Sequence, residues 1–206
     1  DTWFAAAPLD TMSITARDLI MDTNNPSTLF AATTTGIYKT TNSGQSWEKI
    51  MTGSYWDLEF KPGSSDTIYA ASNRRLFRSI DGGNSFFERY DIPTSRRISI
   101  AVTPANPNLV MLLSGGSLTS DDVLNGVYRS INGGATFASI YTGADGDLFH
   151  NYIGSDNLLG AVSYNNTIAI SPTNENIVLT GGLCIWKSTN GGFNWSQVTA
   201  YGSGEN

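Results

Sequence analysis

Ser79-Ile80-Asp81-Gly82-Gly83-Asn84-Ser85-Phe86 is the stretch whose reading decides the fold, because the chain writes it four times. It recurs as Thr40-Thr41-Asn42-Ser43-Gly44-Gln45-Ser46-Trp47, as Ser130-Ile131-Asn132-Gly133-Gly134-Ala135-Thr136-Phe137 and as Ser188-Thr189-Asn190-Gly191-Gly192-Phe193-Asn194-Trp195. One such unit cannot bury its own apolar face, so it stacks on copies of itself. A hydroxyl opens each box (Thr40, Ser79, Ser130, Ser188) and an acid or amide follows (Asn42, Asp81, Asn132, Asn190). That side chain accepts main-chain N–H bonds in the turn. The glycine two positions on (Gly44, Gly83, Gly134, Gly192) takes a positive φ, so Gly83→Val is expected to cost on the order of 1–3 kcal/mol. The closing aromatic (Trp47, Phe86, Phe137, Trp195) opens the return strand and packs beneath the turn, contributing roughly 2–3 kcal/mol per buried ring. Three of the four acidic slots hold Asn, so the box works by hydrogen bonding rather than by charge, catalysis or metal binding.

Each box follows an alternating run: Gly36-Ile37-Tyr38-Lys39, Arg75-Leu76-Phe77-Arg78, Gly126-Val127-Tyr128-Arg129 and Cys184-Ile185-Trp186-Lys187. Period-two alternation rich in aromatic and branched residues predicts a strand with one buried face. The upstream halves repeat as well. Ile20 to Ala32 aligns with Phe60 to Ala71, with Val102 to Met111 and with Ile170 to Leu179, each reading as strand, Pro/Asn-rich turn and strand. The unit is therefore strand, turn, strand, loop, strand, box turn, strand. Radially repeated, four-stranded antiparallel units make an all-β propeller.

The phrase resembles the Asp-box, or bacterial neuraminidase repeat. The fuller unit, best seen from Asn166 through Gly192, is similar to sortilin-like and xyloglucanase-like propellers, and most of all to exported multi-blade proteins of Bacteroidota-type bacteria, many of them type IX secretion substrates. The resemblance covers nearly the whole chain. It implies a fold far more than a function, because the repeat serves many unrelated proteins.

The chain's 206 residues show no composition break and read as a single propeller region. Box starts at 40, 79, 130 and 188 divide it into blades at about 11–52, 53–93, 94–142 and 143–206. Extra residues fall at 114–125 and 143–163. Asp1-Thr2-Trp3-Phe4 reads as the tail of another box, so 1–10 is expected to be the outer strand of a preceding blade. On that reading the four blades belong to a larger propeller, and remaining blades or a partner chain cover its open ends. Net charge is −6 and the basic residues are scattered, which argues against a nucleic-acid backbone as partner. No apolar run reaches the length of a membrane span. Cys184 stands alone and reads as a buried thiol. Abundant Asn, Ser, Thr and Gly suit an exported protein, extracellular or at a bacterial cell surface.

Catalytic motifs do not assemble. The resemblance to sialidases implies an Arg-Ile-Pro segment, which the chain lacks; it has Arg17-Asp18-Leu19 and Arg96-Arg97-Ile98 instead. Xyloglucanase-like enzymes imply two catalytic Asp residues; Asp18, Asp57, Asp145 and Asp147 are the carboxylates weighed, and none sits in a matching motif. Asp57 follows Tyr55-Trp56 at the entry to an innermost strand and could face the central channel. One His and one Cys cannot make a zinc site. Asp145, Asp147 and Asp156 offer oxygen ligands to calcium without the spacing of an EF-hand. No cofactor is expected. The reading is a non-catalytic scaffold that binds a protein or glycan, with Trp56, Asp57, Phe149, His150, Tyr152 and Tyr164 as candidate contacts. The alternative is part of a glycoside hydrolase, xyloglucanase-like or sialidase-like, whose catalytic groups lie outside this segment.

Overall fold

The computed structural model describes residues 14–116, 123–145, 148, 165–182 and 184–199. They form four antiparallel sheets of four strands, each in simple chain order. The first holds β1 (Ala16–Met21), β2 (Leu29–Thr33), β3 (Gly36–Thr40) and β4 (Glu48–Thr52). The second holds β5 (Tyr55–Phe60), β6 (Ile68–Ser72), β7 (Arg75–Ser79) and β8 (Phe87–Asp91). The third holds β9 (Arg97–Val102), β10 (Val110–Gly115), β11 (Leu124–Ser130) and β12 (Ala138–Thr142). The fourth holds β13 (Thr167–Ile170), β14 (Val178–Gly181), β15 (Ile185–Ser188) and β16 (Ser196–Gln197). The inner strands are successive neighbours: β1 lies by β5, β5 by β9 and β9 by β13. These sheets are the blades of a β-propeller.

Every box closes the hairpin between the third and fourth strands of its blade, and with one geometry. The opening hydroxyl donates to the acid or amide: Thr40 to Asn42 at 2.8 Å, Ser79 to Asp81 at 2.7 Å, Ser130 to Asn132 and Ser188 to Asn190 at 2.9 Å. The same hydroxyl accepts the N–H of Gly44, Gly83, Gly134 or Gly192 at 2.9–3.0 Å. The Asn or Asp oxygen then accepts the N–H of Ser46, Ser85, Thr136 or Asn194. The next-to-last turn residue (Ser43, Gly82, Gly133, Gly191) donates its N–H back to the strand 1–2 turn of its own blade, so the two turns are tied together.

The core is divided among the joints between blades. One cluster takes Phe30, Ala32 and Ile37 from the first blade and Tyr55, Leu58, Ile68, Ala70 and Phe77 from the second. A second joins Tyr69, Ala71, Leu76 and Ile92 to Ile98, Ile100, Val110 and Leu112. A third joins residues such as Met111, Leu113 and Val127 to Ile168, Ile170 and Val178. Strand alternation explains the division, because Ile68 and Ala70 point one way out of the pleat while Tyr69 and Ala71 point the other. The box aromatics Phe86, Phe137 and Trp195 are half-buried against these joint cores.

Polar side chains also cross each joint. Lys39 Nζ donates to the Gly82 carbonyl at 2.9 Å, and Arg78 Nη1 donates to the Gly133 carbonyl at 2.6 Å. Both basic residues sit immediately before a box, and both reach the equivalent glycine of the following blade. Second-strand side chains pack on the next glycine along: Phe30 meets Gly83, Tyr69 meets Gly134 and Met111 meets Gly192.

Candidate functional site: a polar cavity on the inner strands

The register of the inner strands fixes which residues share a position. Met21 pairs with Leu29 and Phe60 with Ile68, so Asp18 and Asp57 are equivalent, each following an irregular step in the ladder. Ser99 on β9 and Thr167 on β13 occupy the same place by the pairings Val102 with Val110 and Ile170 with Val178. Aligned from Ile20 and Phe60, the upstream halves differ by one residue in length, and the ladders make Phe60 the equivalent of Met21 instead.

This position links each inner strand to the next. Asp18 Oδ2 accepts the Leu58 N–H at 2.8 Å, and Asp57 Oδ2 accepts the Ile100 N–H at 2.7 Å. Ser99 Oγ donates to the Asn166 carbonyl at 2.8 Å. Asp57, expected from its neighbours to face the channel, therefore has a structural partner on the adjoining blade.

The inner strands line a cavity of about 460 Å³ whose walls include Arg17, Asp18, Trp56, Asp57, Glu59, Arg97, Asn166 and Thr167. Trp56 lies on β5 between two cations from the blades on either side. The Arg17 Cζ is 3.4 Å and the Arg97 Cζ 4.8 Å from its ring centre. Guanidiniums stack on indole by electrostatics and dispersion together. Trp56 Nε1 donates to Asn73 Oδ1 at 2.7 Å, which fixes the ring's rotation. Arg17 Nη1 donates to Ser54 Oγ at 2.9 Å. A sugar or peptide plane stacking on the indole face that Arg17 covers must therefore displace that guanidinium.

Charge in the cavity is set by burial. Desolvation pushes Asp57 up to about 7 against the opposing pull of the Ile100 N–H, with the Asp18 charge adding to the rise. Desolvation, reinforced by Asp57 and Asp18, pushes Glu59 up to about 8. Burial holds the Arg97 guanidinium below its ordinary value, although Asp57 opposes this. Glu59 makes no hydrogen bond or ion pair among the described residues, so its carboxyl is open to a ligand as donor or acceptor. At neutral pH the cavity combines two guanidiniums with two acids near their midpoints, Asp57 and Glu59.

Of the sequence candidates, Trp56 and Asp57 come together in this cavity. Phe149, His150, Tyr152 and Tyr164 lie outside the described residues, as do Asp147 and Asp156. Asp145 caps its own turn, accepting from the Thr142 N–H at 2.8 Å and the Thr142 hydroxyl at 2.9 Å. Among the described residues no group of three or more His, Cys, Asp or Glu is placed to hold a metal, and no helix is long and apolar enough to cross a membrane. Cys184 is a buried thiol. Sequence reasoning missed Glu59, and it treated Arg17 and Arg97 only as failed matches to an enzyme motif. The signal for Glu59 was its place two residues after Asp57, on the same face of one strand.

No protein-family model matches the sequence, and no curated protein matches it. Solved structures do. An ancestral GH74 enzyme superposes with a TM-score of 0.71 at 23% identity, over 97% of this chain and 26% of that one. The GH74 xyloglucanase from Xanthomonas campestris gives 0.63 at 15% identity, over 88% of this chain and 29% of that one. YCF48 bound to a D1 peptide gives 0.53 at 19% identity, over 92% of this chain and 55% of that one. The chain spans little more than a quarter of the GH74 enzymes and about half of YCF48. The likeness is one of fold, an all-β propeller.

Proposed function

We propose that this chain is a non-catalytic binding module: an Asp-box propeller, exported or displayed at a bacterial cell surface as a type IX secretion substrate, that holds a protein segment or glycan. The observation that carries this reading is the inner-strand cavity. Its Asp18 and Asp57 carboxylates are engaged by main-chain N–H groups, while Glu59 and the outer edge of Arg17 remain for a ligand. Groups committed to holding blades together serve recognition better than proton transfer, which needs a carboxyl free to move its proton onto substrate. A propeller of similar fold, YCF48, is solved with a peptide bound.

A second reading has its own support. Asp57 and Glu59 lie two residues apart on one face of β5, both raised toward neutrality, as a general acid would be. Similar propellers occur in GH74 enzymes, one of them a xyloglucanase. In this reading the chain is part of a glycoside hydrolase.

One experiment separates the two. The chain is screened against peptide and glycan arrays, and every binder is then incubated and analysed for cleaved sugars. The scaffold reading expects binding, lost at least tenfold in Arg17→Ala and Glu59→Gln with the native circular dichroism spectrum retained, and no products. Product formation that disappears in Asp57→Asn would establish the hydrolase instead.

A further inference from the structure

The inter-blade contacts recur so regularly that they define what a blade's following face is built to meet. In the first three blades that face carries Phe30, Tyr69 and Met111 on the second strand, exposed by 1%, 0% and 0%. On the third strand it carries Ile37, Leu76 and Val127, all at 0%. The ladders place Leu179 and Ile185 at these two positions of the fourth blade. They are exposed by 42% and 43%. Lys187 stands where Lys39 and Arg78 stand, immediately before a box, and it too is exposed. Thr167, equivalent to the linking residues Asp18, Asp57 and Ser99, is exposed as well.

These side chains have the chemistry of a joint. A second-strand apolar residue in this fold meets a glycine where a Cβ would clash: the added carbon would lie 2.3 Å from Phe30 at Gly83 and 2.6 Å from Met111 at Gly192. A cation before the box reaches the carbonyl one residue earlier in that same turn.

We propose that the face of the fourth blade bearing Leu179, Ile185 and Lys187 is a docking surface for a further blade of this repeat, which presents its Gly-containing box turn to Leu179 and Lys187. The inference is independent of what the cavity binds. It rests on continuity with three joints whose apolar contacts are formed by the same positions, the first two adding the cation's hydrogen bond.

The test fuses a copy of residues 53–93 after Asn206 of the full chain and follows amide exchange by mass spectrometry. The expected result is that the appended copy is protected comparably to the original second blade. Leu179→Glu in the fusion should speed exchange of the appended copy at least tenfold, and Lys187→Glu should do so by a smaller factor. The same substitutions in the unextended chain should leave its melting temperature unchanged, which separates lost docking from lost folding. An appended copy that exchanges freely beside an intact parent overturns the proposal. So does an unextended chain that dimerises through Leu179, because the occupant would then be a second copy rather than a further blade.

Discussion

Gly82 and Gly83 carry nearly the same backbone angle, φ of 68° and 75°, yet their surroundings differ completely. A Cβ on Gly82 meets nothing within 4 Å. A Cβ on Gly83 would lie 2.3 Å and 2.4 Å from two carbons of the Phe30 ring and 3.0 Å from Ile68 Cδ1. Gly82→Ala thus isolates the left-handed backbone penalty, about 1–2 kcal/mol. Gly83→Ala adds an overpacking cost of about 1–3 kcal/mol, because the Phe30 ring is enclosed in the first joint core and cannot retreat without opening it. For a chain of this size about 1 kcal/mol corresponds to roughly 2–4 °C of melting temperature. Gly83→Ala should therefore melt roughly 2–12 °C below Gly82→Ala by calorimetry. The 1–3 kcal/mol expected for Gly83→Val from turn strain alone becomes a lower bound, since a branched side chain meets the same ring. Melting curves for the two alanine variants that coincide would refute the reasoning at its centre, the contact between one blade's second strand and the next blade's turn.

Ser79→Ala removes the buried hydroxyl that accepts the Gly83 N–H and should cost about 1–3 kcal/mol by denaturant titration, with no loss if the turn holds itself. Asp81 is held down to about 2, first by the Ser85 hydroxyl and then by the Ser79 hydroxyl and the Ser85 N–H. A depressed carboxylate contributes stability above its unfolded value, lost as pH falls toward 2. Asp81→Asn, the residue of the other three boxes, should be nearly neutral at pH 7 and flatten the acid limb of a stability profile. For Asp57 and Glu59 the sign reverses: both are raised in the fold, so stability is greatest below the unfolded carboxylate range and declines as pH rises toward 7–8. Glu59→Gln should remove a share of that decline, on the order of 1–3 kcal/mol, and a melting temperature equally pH-dependent in both proteins would count against the buried placement of Glu59.

The fold was legible because the box states its own geometry. Hydroxyl, amide and glycine stand at fixed intervals since each bonds the others, and four copies set the strand count without any tertiary information. The strand runs before each box were expected to bury one face, whereas packing between blades buries both, Ile37 with Tyr38 and Leu76 with Phe77. The cavity was less legible for a physical reason. Its walls come from residues 17, 57, 97 and 167, and nothing local to any one strand tells which side chains converge across four blades. The spacing between the first two boxes carries Asp18 onto Asp57, which an alignment started at Ile20 and Phe60 misses by one residue. The basic residues before the boxes, Lys39, Arg78, Arg129 and Lys187, were visible as a column in the sequence. For Lys39 and Arg78 the partner is a carbonyl of the next blade, which leaves no trace in side-chain identity.

That last asymmetry has an evolutionary consequence. When a donor such as Arg78 grips the main chain of its neighbour, the neighbour's own side chains are left free to vary. Gene duplication can then insert, delete or shuffle units without any pair of residues having to change together. Long excursions such as the one after the third unit can diversify within one unit while the wheel around it stays in true.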